Sequence, residues 1–115
     1  MHELSLAINI VEMAENLARE HHASSVSAIK LEVGEGAGVE MPALKTALQS
    51  ACMNTLLQEA SVEYIRTPIE NTCTECGFAF ASKDMYSLCP KCGSFAKVTG
   101  GKDLKILSIT TEKND

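Results

Sequence analysis

The sequence predicts an α+β protein: two helices packed on a roughly three-stranded sheet, with a small cysteine-stapled domain inserted before the last strand. Three observations predict it. Two stretches repeat apolar residues at three- and four-residue steps, and three shorter ones alternate with a period of two. Between the second and third alternating stretches lies Cys73-Thr-Glu-Cys76, then twelve residues, then Cys89-Pro-Lys-Cys92. One body is therefore discontinuous, residues 1–67 and 102–115, and the inserted body occupies 68–101.

Residues 4–22 form the first predicted helix. Leu4, Ala7, Ile8, Val11, Ala14, Leu17 and Ala18 share a stripe that Leu6 and Met13 broaden, with Asn9, Glu12, Glu15 and Arg19 largely opposite. Adjacent histidines on a helix point about 100° apart, so His21 and His22 read as the end of that helix and not as a metal pair. Residues 26–34 alternate as a strand, with Ser27, Ile29, Leu31 and Val33 on the buried face. Gly34, Gly36 and Gly38 then make a loop that lacks the spacing of a nucleotide fingerprint. Glu40, Met41 and Pro42 open a second helix, since proline suits a first turn and an acidic residue there complements the helix dipole. Leu44, Ala47, Leu48, Ala51, Cys52 and Leu56 carry it to residue 58, with Cys52 a small core hydrophobe. Residues 61–67 are a second strand and 103–111 a third, the latter with Leu104, Ile106 and Ser108 on one face. That closing strand can pair within the chain or with a second copy, which leaves a homodimer open.

Composition excludes several classes of partner. The chain has 115 residues, a net charge of −5 and a pI near 5.2. A surface that binds many phosphates must be basic, so nucleic acid is not the partner. No run of about 18 apolar residues exists to span a membrane, and Met-His-Glu is not the basic start of a leader. Reduced cysteines in a chain without a leader fit the cytoplasm.

The paired cysteines carry the most specific chemistry. Two residues between thiols let each pair turn on a tight knuckle, and about a dozen residues suffice to bring one knuckle over the other. Gly77 and Gly93 follow the pairs where such a turn needs positive φ. The spacing predicts a zinc ribbon ligated by Cys73, Cys76, Cys89 and Cys92. Four thiolates leave no open coordination position, so the zinc is structural, and no nucleophile with a nearby base suggests an enzyme. Phe78, Phe80, Tyr86, Leu88 and Phe95 are assigned to an apolar cover around the knuckles.

Met1-His2-Glu3 adjoins the first helix. Its α-amine, the His2 amide nitrogen and the His2 imidazole can close fused chelate rings, while Glu3 offers an oxygen or its own amide nitrogen. Such nitrogen-rich sets suit Ni(II) or Cu(II). On composition alone an ordinary chain end is the alternative.

Taken together, these features resemble one family across essentially the whole chain. Met1-His2-Glu3 before an amphipathic helix, Val33-Gly34-Glu35 ending the first strand, Cys73-x-x-Cys76 and Cys89-Pro-x-Cys92-Gly93, and then a closing strand are similar to the HypA (HybF) family of hydrogenase nickel-incorporation proteins. The resemblance implies a Ni(II) metallochaperone that works with the HypB GTPase to load nickel into the large subunit of [NiFe] hydrogenase, with urease accessory proteins as further partners where urease is present. By position, the family's nickel ligands fall on His2, Glu3 and the Met1 amine, with Glu40 matching a further acidic ligand seen in some members. Its structural zinc ligands fall on Cys73, Cys76, Cys89 and Cys92. Many members carry Gly-Thr where this chain has Asn54-Thr55, and the histidines that flank the knuckles in some relatives are replaced by Gly77, Phe78, Gly93 and Ser94.

Overall fold

A computed structural model describes residues 2–113. The chain runs α1 (Glu3–Glu20), β1 (Ser25–Gly34), a 3-10 turn (Glu35–Ala37), α2 (Met41–Cys52), β2 (Ser61–Thr67), β3 (Ile69–Cys73), β4 (Ala79–Ser82), β5 (Ala96–Gly100) and β6 (Leu104–Glu112). It divides into two compact units. One comprises the described residues up to Leu31, Val39–Ile65 and those from Lys105 onward; the other comprises Glu32–Gly38 and Arg66–Leu104. The predicted boundaries of 68–101 do not include Glu32–Gly38. That loop clusters with the second unit because it packs on a glycine turn there. The Gly36 amide donates to the Gly101 carbonyl at 2.8 Å, and a Cβ at Gly34 would collide with the same carbonyl.

The first unit holds both helices and most of a three-stranded sheet ordered β2-β1-β6. Ala7, Ile10, Val11, Ala14 and Ala18 of α1 are buried, as are Leu44, Leu48 and Cys52 of α2 and Val26, Ile29 and Leu31 of β1. Within the predicted stripe the small residues go inside, whereas Leu4, Ile8, Met13 and Leu17 stay exposed. Small side chains let α1 lie close against α2, which wide ones would prevent. Two carboxylates of α1 then grip the segments at either end of α2. Glu3 Oε2 accepts the Glu40 amide at 3.3 Å, and Glu15 Oε2 accepts the Leu56 amide at 3.1 Å.

Three local expectations are corrected. Helix α2 stops at Cys52 and does not reach residue 58. Met53 leaves helical dihedrals and Asn54 takes φ 61°, the left-handed region that asparagine tolerates best after glycine. Successive i to i+3 turns follow, from Thr55 to Cys52 and from Gln58 to Thr55, and they bury Leu57 with a near-helical spacing. In β1, burial shifts phase between Val26 and Ile29, so Ser27 is not on the core side. Between the Ser24–Glu112 and Gly34–Asp103 hydrogen bonds β1 spends one residue more than β6, the mark of a bulge. In β6, Ile109 and not Ser108 is the more buried of the two.

The second unit is built on a sheet ordered β4-β3-β5, both pairings antiparallel. Ile69, Asn71 and Cys73 of the central strand are buried. Asn71 is fully enclosed and donates through Nδ2 to Ser82 Oγ at 2.8 Å. Strand β3 ends on Cys73, so its register with β5 delivers the first knuckle to a fixed place.

Candidate metal centres

The four cysteines of the ribbon come together. Their sulfurs all lie within 4.8 Å of one another, with Cys73–Cys92 at 3.4 Å and Cys76–Cys89 at 3.7 Å. A tetrahedral ion with metal–sulfur bonds of about 2.3 Å holds its sulfurs roughly 3.8 Å apart. The cluster therefore fits such an ion, and a set of four thiolates is the chemistry of a closed, zinc-compatible cage. No disulfide forms among the described cysteines.

The knuckles are shaped by backbone turns. The Gly77 amide donates to the Cys73 carbonyl at 3.1 Å and the Gly93 amide to the Cys89 carbonyl at 2.8 Å. Both glycines sit at φ 76°, as the spacing requires. Glu75 and Cys76 amides point at Cys73 Sγ, and the Lys91 amide at Cys89 Sγ, each at 3.4 Å. Those donors favour thiolate. The Cys76 and Glu75 amides pull the Cys73 thiol down to about 6. Cys76 is the counterweight: the Phe78 amide lowers it, but the neighbouring sulfur of Cys73, burial and the other two sulfurs push it up to about 11. Four thiolates in so small a volume repel one another, so a cation is what permits all four to ionise.

Thr74 ties the first knuckle to the strand beyond the second, donating from its amide and its hydroxyl to the Phe95 carbonyl at 3.2 and 2.9 Å. The apolar cover expected over the knuckles is only half present. Phe78 and Phe80 stack with centroids 6.1 Å apart, and Lys91 Nζ lies 4.5 Å from the Phe78 ring centre. Tyr86, Leu88 and Phe95 are exposed and cover nothing. Thr74 and Lys91 do part of the work assigned to those three side chains.

At the other predicted site, His2 is the N-cap of α1. Its carbonyl accepts the Leu6 amide at 3.1 Å, while its side chain is exposed and makes no capping bond. Glu3 is the first helical residue, and its amide has no acceptor within the helix. Its carboxylate reaches across to the Glu40 amide, and that hydrogen bond holds its pKa below the usual carboxylate value. Glu40 is the N-cap of α2, so the fold brings Glu3 and Glu40 side by side from positions far apart in sequence. Met1 lies outside the described residues.

Periodicity missed Glu15, placed on the solvent face by its spacing but half-buried on the Leu56 amide and 3.6 Å from Arg19. An acidic residue flanked by the apolar positions Val11, Ala14 and Ala18 was the available signal. Cys52 is buried at the end of α2 and takes no part in the four-sulfur cluster; burial pushes its thiol up.

An α+β unit whose first helix opens on an exposed histidine followed by a glutamate, together with a four-cysteine ribbon, defines a small metal-handling protein. The comparisons with known proteins narrow that class. The family model for "Hydrogenase/urease nickel incorporation, metallochaperone, hypA" matches residues 1–111. The hydrogenase maturation factor HypA of Prosthecochloris aestuarii is 38% identical over 113 residues, covering 97% of this chain and 100% of that one. That of Parabacteroides distasonis is 39% identical over 114 residues, covering 98% and 99%. The solution structure of the nickel metallochaperone HypA from Helicobacter pylori superposes with a TM-score of 0.75 at 21% identity, covering 99% of this chain and 100% of that chain. The chain belongs to the HypA family, nickel metallochaperones of hydrogenase maturation. No helix among its described residues is long and apolar enough to cross a membrane.

Proposed function

We propose that this protein binds Ni(II) at its N-terminus through the Met1 amine, His2 and Glu3, with Glu40 as a further oxygen donor, and hands it on during maturation of [NiFe] hydrogenase. Cys73, Cys76, Cys89 and Cys92 hold zinc, which cross-links the two knuckles and is not exchanged. Delivery proceeds in the cytoplasm with the HypB GTPase to the hydrogenase large subunit, and through urease accessory proteins where that enzyme is the client. The observation that supports the reading is the exposed His2, which makes no capping bond, followed by Glu3 at the start of α1, whose carboxylate accepts the Glu40 amide, in a member of this family.

A carrier must select its ion and still release it. An exposed terminal site with few side chains does so, whereas a closed cage of four thiolates would hold nickel too firmly. Cu(II) binds amine and imidazole more tightly than Ni(II), so selectivity falls to partners and supply. Acidification weakens the site as the amine and imidazole take up protons. Calorimetric titration of nickel into the zinc-containing chain with its native start should give one site per chain. That site should vanish in His2→Ala and in an N-terminally extended chain, while each keeps one zinc. Nickel bound at full affinity in both altered chains would refute the assignment.

A further inference from the structure

Two helices cover three strands unevenly. Val26, Ile29 and Leu31 of the central strand β1 are buried, whereas Val62 and Tyr64 of the edge strand β2 are only half-buried. Lys45, Leu48, Gln49 and Cys52 recur at helical steps along α2 and, with that edge strand, enclose a cavity of about 350 Å³. It lies wholly within the first unit, and Leu57 and Gln58 of the turns after α2 complete its wall. Small-molecule sites begin at about 300 Å³. An apolar cavity of about 150 Å³ takes one benzene ring, so this one has room for two fused rings.

Its lining separates by burial. Leu48, Leu57 and Cys52 are buried, Cys52 at 8% exposure, and with Ala60 and Val62 they make an apolar floor. Lys45, Gln49 and Gln58 are exposed and make the rim with Tyr64. Lys45 is the only charged side chain in the lining. Its Nζ lies 5.4 Å from the Tyr64 ring centre, and among the described residues no carboxylate pairs with it. The acids nearby are engaged elsewhere, Glu15 by the Leu56 amide and Arg19, and Glu63 by Lys30, while Glu59 is not in the lining. Gln58 Oε1 accepts the Asn54 amide at 3.0 Å, which leaves the Gln58 side-chain N–H groups to donate. Burial raises both the Tyr64 hydroxyl and the Cys52 thiol, so each is a protonated donor at neutral pH.

We infer that this cavity is a binding site for a small aromatic monocarboxylate, its rings on the floor against Tyr64 and its carboxylate at the rim on Lys45 and Gln58. One ammonium matches one negative charge, which favours a carboxylate over a doubly charged phosphate ester. The Tyr64 ring adds to area burial when another ring packs on it, which favours an aromatic body over an aliphatic one. This inference is independent of where nickel binds.

The chain contains no tryptophan, so the fluorescence of naphthoate can be followed against little background. The zinc-containing, nickel-free full chain is titrated into naphthoate, into the neutral naphthamide and into the cationic naphthylmethylamine. The acid should saturate, with the amide about tenfold weaker and the amine weaker still. Lys45→Gln should bring the acid down to the level of the amide, the factor of about ten that a partly exposed charge-assisted hydrogen bond supplies. Gln58→Glu keeps the acceptor for the Asn54 amide but places a negative charge on the rim, and should put the amine ahead of the acid. Both positions are exposed, so matching urea midpoints will separate lost binding from lost fold. Cys52 locates the ligand, because it is the one cysteine outside the four-sulfur cluster. Its alkylation by N-ethylmaleimide, read by mass spectrometry, should slow by about tenfold at saturating naphthoate. The site is overturned by an absent saturable response, by equal binding of acid and amide, by binding unchanged in both variants, or by Cys52 alkylation indifferent to naphthoate.

Discussion

At the scale of single residues, the informative side chains are those whose partners lie far along the sequence. Glu15 is 17% exposed and holds the amide of Leu56. Hydrogen bonds to ionised groups contribute about 1.5–3 kcal/mol when well enclosed. Glu15→Ala should therefore destabilise the protein by about 1–2 kcal/mol in urea unfolding, and Glu15→Gln, which keeps an acceptor, by less. Cys52 makes a pH-dependent contribution. Burial raises its thiol, and the Tyr64 hydroxyl is raised by burial and then by the Cys52 charge. An acid whose folded value lies above its unfolded one contributes no pH dependence below the unfolded value. Stability is then lost as pH rises from the unfolded value toward the folded one. The urea midpoint of the zinc-containing protein should thus fall as pH rises past the unfolded thiol value of about 8.5, and Cys52→Ala should flatten that fall while lowering the midpoint at every pH. An equally steep fall in the variant would assign the alkaline limb elsewhere. The four clustered cysteines were legible in the sequence because each knuckle is a local turn. The Glu15–Leu56 contact was not, because it joins segments 41 residues apart with no local pattern to announce it, and the approach of Glu3 to Glu40 was expected only from the family resemblance.

At the scale of elements, α1 and α2 were legible from their periods, and so were β1, β2 and β6. What periodicity could not do was choose between two adjacent stripes of α1 that both repeat at helical steps. The stripe that goes inside is centred on small side chains: Ala7, Ala14 and Ala18 are fully buried with Ile10 and Val11 beside them, and Leu4, Ile8, Met13 and Leu17 are left at the surface. Ala14→Leu should then cost about 1–3 kcal/mol by overpacking, whereas Ile8→Gln should fall within about 0.5 kcal/mol of the parent. Thermal or urea unfolding of both variants checks the pair, and the reverse order would return Ile8 to the core. The overlong prediction for α2 has a related cause. Leu56 and Leu57 continue the apolar spacing, but Asn54 turns left-handed and the following turns imitate a helix in burial without its hydrogen bonds. Asn54 itself is the signal in sequence, since asparagine tolerates the left-handed region better than other residues with a side chain.

At the scale of the whole molecule, the two units depend on different sources of stability. The first has two helices and an aliphatic core in which Leu31, Leu44 and Leu57 are fully or almost fully enclosed, each burial contributing about 1.5–3 kcal/mol. The second has three short strands, few large apolar residues inside and three of its largest outside. Units of that size fold on a metal or on cross-links when their cores cannot suffice. Removing the metal should therefore act on one unit only. After treatment with a strong chelator, hydrogen exchange should become fast across β3, β4 and β5, while amides of α1 and α2 stay protected and the far-ultraviolet helical signal persists. Re-addition of zinc should restore the ribbon and release about one proton per cysteine at neutral pH, because the thiols of an unfolded ribbon keep the ordinary cysteine value of about 8.5. If chelation instead exposes the amides of α1 together with those of β3, the two units share one cooperative transition and the division of labour between core and cage is wrong.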